Sequence, residues 1–489
     1  MVQPVRAAER PARARPSTPP ASQTFFSPAA DLPWYLLGQV ASARLLGFVI
    51  GAVHGVNLLL LSAIARRLLP VERPAVRWLA ALALAALGMA SAAAVSEIGT
   101  VMNDLLVSLG ALGSLLLVLR AWPVLAAGAP GAARRAAWAG APVGLAVGAK
   151  LVAAPYGVAV VAAFAALPGP WRRRAGLALC CAAGAAVPAL LLLGPWGWYS
   201  WVHTGNPVYP FFNDLFQAPG LGPGGHRDLR WVPHALGEWL VWPIVVALDP
   251  ARFSEIPLRD LRLALAYLLL PALLLARLAW PRRPALRPGA GYLFLLMAVG
   301  YLCWLLVFSY VRYAIPLDML APLALALALL ALPLPRPAAW AGIAALAVLL
   351  VATTRYVDWG RMPWTARFIE AKAPPLARPG DSIVLLVGGP GGLVIPSFPP
   401  AVPFLKLEPP PGIGWHGDTP WRRLIRARLA ARPGADLYLL TSPDAAGPAA
   451  ELLPEYGLAP GPAAACRPVW SNIGGDWLRL CPLERRPAG

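Results

Sequence analysis

"WYSWVHTGNPVYPFFNDLF", residues 198–216, lies between two long apolar runs and decides how this chain is read. Its polar break Thr204-Gly205-Asn206-Pro207 is unsuited to hydrocarbon, and it is too aromatic for an ordinary linker. Tryptophan and tyrosine gather where a chain leaves a membrane, their rings at headgroup level. The composition agrees: of 489 residues, 58% are hydrophobic and 13% charged, against about 25% charged in a soluble domain. Apolar runs of roughly 17–21 residues recur, the length that crosses hydrocarbon. The fold class expected is mainly α, a polytopic bundle of transmembrane helices.

About ten such helices are expected, near 45–65, 78–95, 104–121, 136–149, 151–168, 175–195, 262–280, 289–309, 314–334 and 338–355. After Arg355 the composition changes. "DSIVLLVGG" (381–389) and "ADLYLLTSP" (435–443) read as buried strands, and "TPWRRLIRARLAARPG" (419–434) as a helix with N-cap Thr419, Pro420 at its first position and a terminal Gly434. The domains expected are a Pro/Arg-rich tail over 1–32, a membrane domain over 33–355 with a long outer loop at 197–261, and a small α/β domain over 356–489.

The net charge of +19 is mostly arginine in short loops beside apolar runs. That is the positive-inside pattern, and no interleaved basic-aromatic motif for nucleic acid accompanies it. Arg66, Arg67, Arg73 and Arg77 form one loop, Arg120, Arg134 and Arg135 another, and Arg172–Arg174 a third. Arg277, Arg282, Arg283 and Arg287 form a fourth, and Arg336 marks a fifth. Ten crossings put all five on one side, the cytoplasmic side. Ser96–Asn103, Gly197–Leu261 and the C-terminal domain then lie outside. Helix parity also places residues 1–32 outside although they carry Arg6, Arg10, Arg13 and Arg15, which leads to the expectation of a further helix upstream of Met1.

Cys180, Cys181 and Cys303 lie in apolar helices as small core residues, while Cys466 and Cys481, on the outer side, are a disulfide candidate. Charges near the membrane need reasons. "SEIGTVMNDLL" (96–106) places Glu97 and Asp104 at the outer face: Asp104 suits a helix cap, and Glu97 could bind a cation or a substrate hydroxyl. His54 and Asn57 share a helical face, where a helix–helix hydrogen bond is the plain reading. Lys150, in "VGAKLVAAP" (147–155), could pair with Glu97 or Asp104, or hold a phosphate. Arg312, in "SYVRYAIPLD" (309–318), is either a snorkelling interfacial cation or a bidentate phosphate ligand. There is no Walker loop, HExxH or paired CxxC, and "VGGPGGLV" (387–394) reads as a turn.

The blocks "QTFFSPAADLPWYLL" (23–37), "SEIGTVMND" (96–104), "GNPVYPFFN" (205–213), "RWVPHALGEWLVWP" (230–243) and "VRYAIPLDMLAPL" (311–323) together resemble the GT-C class of polytopic glycosyltransferases. Within it, the chain looks like the bacterial branch related to protein mannosyltransferases and aminoarabinose transferases. The resemblance implies a multi-pass enzyme of an inner membrane with a periplasmic C-terminal domain. It would move a sugar from a polyprenyl-phosphate donor to a glycan, lipid or protein acceptor at the outer face. Glu97, Asp104 and Asp31 are then the candidate catalytic acids, Arg312 and Lys150 the donor-phosphate ligands. His203, Asn206, Tyr209, Tyr313 and His54 would line the substrate cavity. Members of the class carry an essential acid in the first outer loop; that acid is not found here, and only Asp31 stands near the place. A divalent cation on Glu97 and Asp104 is conceivable. The readings from other classes are a lipid-linked-sugar transporter, which would distribute polar residues through the membrane depth, and a non-catalytic membrane subunit.

Overall fold

The computed structural model describes residues 26–218, 229–280, 285–389, 391–408, 418–473 and 475–486. Most of the tail, including its four arginines, lies outside the described residues, as do Arg282 and Arg283. The chain divides into two compact units: Gly47–Gly194 with Leu229–Arg361, and Met1–Leu46 with Pro195–Asp228 and Met362–Gly489. This division cuts across the contiguous boundaries expected at 33–355 and 356–489.

The helical unit contains helices where the apolar runs predicted them. Six helices are long and apolar enough to cross a membrane: Ala43–Leu68, Asp104–Ala127, Trp171–Thr204, Ala290–Val307, Val311–Leu330 and Arg336–Thr353. The others expected are present but shorter or more polar, at Pro74–Met89, Ala132–Ala149, Leu151–Ala166 and Arg262–Leu278. Two differences stand out. The helix expected to stop near 195 runs on to Thr204, because "GWYSWVH" contains no strong breaker and the chain turns only at Gly205, with φ +72°. The expected outer loop also holds a further apolar helix, Leu236–Leu248. Glu238 starts it by reaching back to accept the N–H groups of His234 (2.8 Å) and Ala235 (3.4 Å).

Arginines mark helix ends that alternate along the chain: Arg66 and Arg67 end one helix, Arg134 and Arg135 open another, and Arg277 ends a third. Some serve as caps. Arg173 donates to the Ala126 carbonyl at 2.7 Å and Arg174 to the Ala165 carbonyl at 2.7 Å, where free carbonyls and the negative dipole end favour a cation.

Small residues let the helices meet. Gly140, Gly144 and Gly148 share one face of the 132–149 helix and pack on Cys181, Ala185 and Ala189. A Cβ on Gly144 would stand 2.1 Å from the Ala185 carbonyl oxygen. Without a hydrophobic drive between helices in lipid, such close backbone approach is the main source of association. The 315–330 helix is central: every side chain from Ile315 to Ala328 is buried. Gly88 meets it so closely that a Cβ would lie 2.3 Å from the Met319 carbonyl oxygen.

The second unit carries a mixed seven-stranded sheet: β1 (Ala371–Lys372), β2 (Ser382–Val387), β3 (Phe404–Lys406), β4 (Asp436–Thr441), β5 (Leu458–Pro460), β6 (Arg467–Ser471) and β7 (Gly475–Arg485). The order is β1-β6-β7-β4-β2-β3, with β5 also on β7. β2 is parallel to β3 and β4; the remaining pairings are antiparallel. All six residues of β2 are buried because both faces are covered. Ile383, Leu385 and Val387 pack with Trp421 and Ile425 of the Pro420–Ala430 helix, while Val384 and Leu386 pack with Phe398, Phe404 and Val469. Thr419 caps that helix by accepting the Arg422 N–H at 3.2 Å. The helix ends at Ala430, with Ala431 as its C-cap, rather than at the expected Gly434. Cys466 and Cys481 are joined as a disulfide between β6 and β7.

Candidate functional site

In the helical unit, the segment from Ser91 to Asp104 builds the site. Ser91 caps the short helix Ala92–Glu97, accepting the Ala94 N–H at 3.2 Å. The chain then turns through Gly99 (φ +79°) and Asn103 (φ +67°) before Asp104 opens the 104–127 helix. The turn brings the two acids back to the same helix start. The roles differ from those expected: Glu97, not Asp104, accepts the Leu105 N–H of the first turn, at 3.3 Å through Oε2. Asp104 makes no cap bond and serves two cations instead.

Those cations come from distant parts of the sequence. Lys150, at the end of the 132–149 helix, donates to Asp104 Oδ1 at 2.5 Å and to the Met102 carbonyl at 2.7 Å. Arg312 donates through Nη1 to Asp104 Oδ2 at 3.2 Å and through Nε to the Tyr310 hydroxyl at 2.9 Å. Its guanidinium lies 4.9 Å from the Tyr310 ring, 5.9 Å from the Tyr313 ring and 5.2 Å from the Trp359 ring. Lys150 Nζ stands 5.5 Å from the Tyr313 ring. The Tyr310 hydroxyl donates in turn to the exposed Glu255.

Accessibility separates the members. Glu97 is fully buried and the Asp104 side chain is 2% exposed, whereas Arg312 and Lys150 keep 11% and 23% of theirs in reach of solvent. Burial, and secondly the Asp104 carboxylate, push the Glu97 carboxyl well above its ordinary range. Burial alone would lower the Lys150 ammonium; the Asp104 carboxylate outweighs that and raises it. Two cations share the one carboxylate of Asp104. Nη2 of Arg312 donates to no group among the described residues. Arg312 and Lys150 are thus both held by the single carboxylate of Asp104 while part of each side chain stays accessible. The arrangement does not suit a hard cation, because Lys150 and Arg312 already occupy both oxygens of Asp104. Among the described residues no group of three or more His, Cys, Asp or Glu side chains stands together.

His54 and Asn57 brace this turn. Asn57 donates to the carbonyls of His54 (3.0 Å) and Leu105 (2.9 Å) and accepts from Ser108 at 2.9 Å, the helix–helix role read from the sequence. His54 Nδ1 accepts the Gly99 N–H at 3.3 Å, so it supports the backbone rather than lining a cavity. Tyr313 faces both cations, and its carbonyl accepts the Tyr156 hydroxyl.

The remaining candidates lie in the other unit. Asn206 is not a free ligand group: it is fully buried, its amide donates to the Phe211 carbonyl at 2.8 Å, and its oxygen accepts the Val208 N–H at 2.9 Å. It holds the turn. His203 is exposed, with Nδ1 2.7 Å from the Tyr199 carbonyl and its ring 4.1 Å from that tyrosine. Tyr209 is buried, and Asp31 caps the Pro28–Ala30 turn with its backbone N–H.

Sequence reasoning missed Tyr310, Trp359 and Arg361 as site residues, and a buried pair beside it. Arg262, with no exposed surface, donates to Asp260 (2.6 Å), Thr354 (3.1 Å) and the carbonyls of Leu87 (2.9 Å) and Ala90 (3.1 Å). Asp260 also accepts the Ala92 N–H at 2.8 Å, so the pair ties the start of the acid segment to two other helices. A surface cleft of about 400 Å³ in the sheet unit, between Pro433–Tyr438 and Pro482–Arg485, gathers no comparable set of groups; its Asp436 is paired with Arg378. No protein-family model, curated protein or solved structure matches this chain.

Proposed function

We propose that this chain is a membrane glycosyltransferase that takes a sugar from a polyprenyl-phosphate donor and passes it to a hydroxyl acceptor at the outer face of an inner membrane. The observation that carries the reading is one buried carboxylate, Asp104, held between two partly accessible cations. In the proposed reaction the acceptor oxygen attacks the anomeric carbon, and the bond from that carbon to the phosphate oxygen breaks. The leaving phosphate takes the electron pair and is met by Arg312 and Lys150, where preorganised cations stabilise developing charge. As the phosphate draws both cations, Asp104 is left as the unpaired carboxylate that takes the acceptor proton. Burial and the Asp104 carboxylate disfavour a second charge on Glu97 beside it. Asp104 here takes the place of the first-loop acid of the GT-C class.

The proposed topology has ten crossings, the six long helices and the four shorter ones, with the arginine-marked ends in the cytoplasm and the Asp104 cluster at the opposite ends. The six long apolar helices support a membrane location. Proteoliposomes carrying the purified chain and an isoprenyl-phosphate sugar bearing a radiolabel test the reaction. Wild type should move label to an acceptor, and Asp104→Asn and Arg312→Ala should each cut transfer at least a hundredfold with expression intact. Near-normal transfer in either variant would sink the assigned roles. Label that crosses the bilayer without bond cleavage would favour a transporter.

A further inference from the structure

We propose that the strap Asp358–Arg361 is the positioning element of the Asp104 cluster, with Trp359 and Arg361 as its two positioning residues. The strap follows the helix Arg336–Thr353 and is shaped by Asp358, whose Oδ1 accepts the N–H groups of Gly360 (2.8 Å) and Arg361 (3.3 Å). Gly360 turns at φ +78°, where a side chain would be strained.

From this turn the strap grips both halves of the cluster. Arg361 donates through Nη2 to the carbonyls of Val95 (2.9 Å), Ser96 (3.2 Å) and Ile98 (3.1 Å), at the C-terminal end of the helix that bears Glu97. Trp359 donates its indole N–H to the Ser96 hydroxyl at 3.2 Å and lays its ring 5.2 Å from the Arg312 guanidinium. One tryptophan thus touches the acid turn and the cation of the other side. An arginine side chain loses much freedom when held, and a planar aromatic partner fixes the plane of its guanidinium. The strap keeps Arg312 turned toward Asp104 by Nη1, with Nη2 donating to no group among the described residues. Its effect on a phosphate ligand rests on the reading above; the grip itself does not.

The test is the reactivity of Arg312 toward phenylglyoxal, which condenses with accessible guanidinium groups, on the full chain in lipid nanodiscs with peptide mass spectrometry. Trp359→Ala should raise the Arg312 rate on the order of tenfold, as expected for loss of a partly desolvated cation–π contact. Trp359→Phe should raise it less, and Arg361→Gln should raise it through the loosened turn. Fully buried Arg262 reports any general opening and should stay unreactive. An Arg312 rate within twofold of wild type in Trp359→Ala overturns the proposal, as does a rise matched by Arg262. Should the alanine variant fail to fold, Trp359→Leu, which fills the space without an aromatic ring, decides by the same threshold. Farnesyl phosphate added to wild type separates the two ideas: if it does not slow Arg312 labelling, the phosphate reading fails while the strap result stands.

Discussion

Asp104 and Glu97 are seven positions apart, yet the fold gives them different partners. Asp104 has a cation on each oxygen, and Glu97 has one backbone N–H on Oε2 and no partner on Oε1 among the described residues. Burial and the neighbouring carboxylate raise Glu97, and a sign check gives its effect on stability. The folded state holds the Glu97 proton above the pH at which the unfolded chain has released it. Stability is therefore lost with rising pH, from about pH 4.5 up to the folded value, at about 1.4 kcal/mol per unit, and is undiminished below that window. Glu97→Gln keeps the acceptor for Leu105 without the titration. Its melting temperature should match wild type near pH 4 and exceed it increasingly toward pH 7. A difference that does not change with pH would place a charged Glu97 in the fold.

At the scale of elements, the helix pair 132–149 and 171–204 depends on glycines with no room for a side chain. Gly144→Leu would drive a branched side chain into the Ala185 backbone, and overpacking of this kind costs about 1–3 kcal/mol. The variant should melt several degrees lower in detergent. Gly51→Leu, at a helical glycine with nothing within 4 Å of its Cβ position, is the control and should change little. In the sheet unit the disulfide Cys466–Cys481 closes a 15-residue separation on adjacent strands. The chain-entropy estimate for such a loop is about 3 kcal/mol. Reduction, or the double alanine variant, should lower the melting of this unit, and peptide mass spectrometry without reductant should find the linked pair. Two alkylated thiols would show that the bond does not form in the native protein.

For the whole molecule, the proposed topology puts everything after Tyr356 outside the cytoplasm. A fusion after Gly489 to a reporter active only in the periplasm should be active, and one active only in the cytoplasm should be silent. The reverse result would invert the proposed topology and remove the Asp104 cluster from the outer face.

The membrane helices were legible because hydrophobicity is a local, additive property of a run. Six of the expected segments reappear as helices long and apolar enough to cross a membrane, the β2 and β4 strands were legible as apolar runs, and the Thr419 cap from local side-chain chemistry. β6 and β7 were not: "RPVWS" and "GDWLRLCPLER" carry arginines and prolines, and only pairing with each other and with β4 makes them strands. Within the site, sequence singled out Glu97, Asp104, Lys150 and Arg312 because charges near apolar runs are costly and few. Which of them meet was settled only by the tertiary structure, since Asp104–Lys150 and Asp104–Arg312 close separations of 46 and 208 residues. The exchange of the cap from Asp104 to Glu97, and the service of Trp359 and Arg361, follow from that closure. Spacing along a chain shows which residues share a helix face; which partners a charge finds across the bundle depends on how the helices pack.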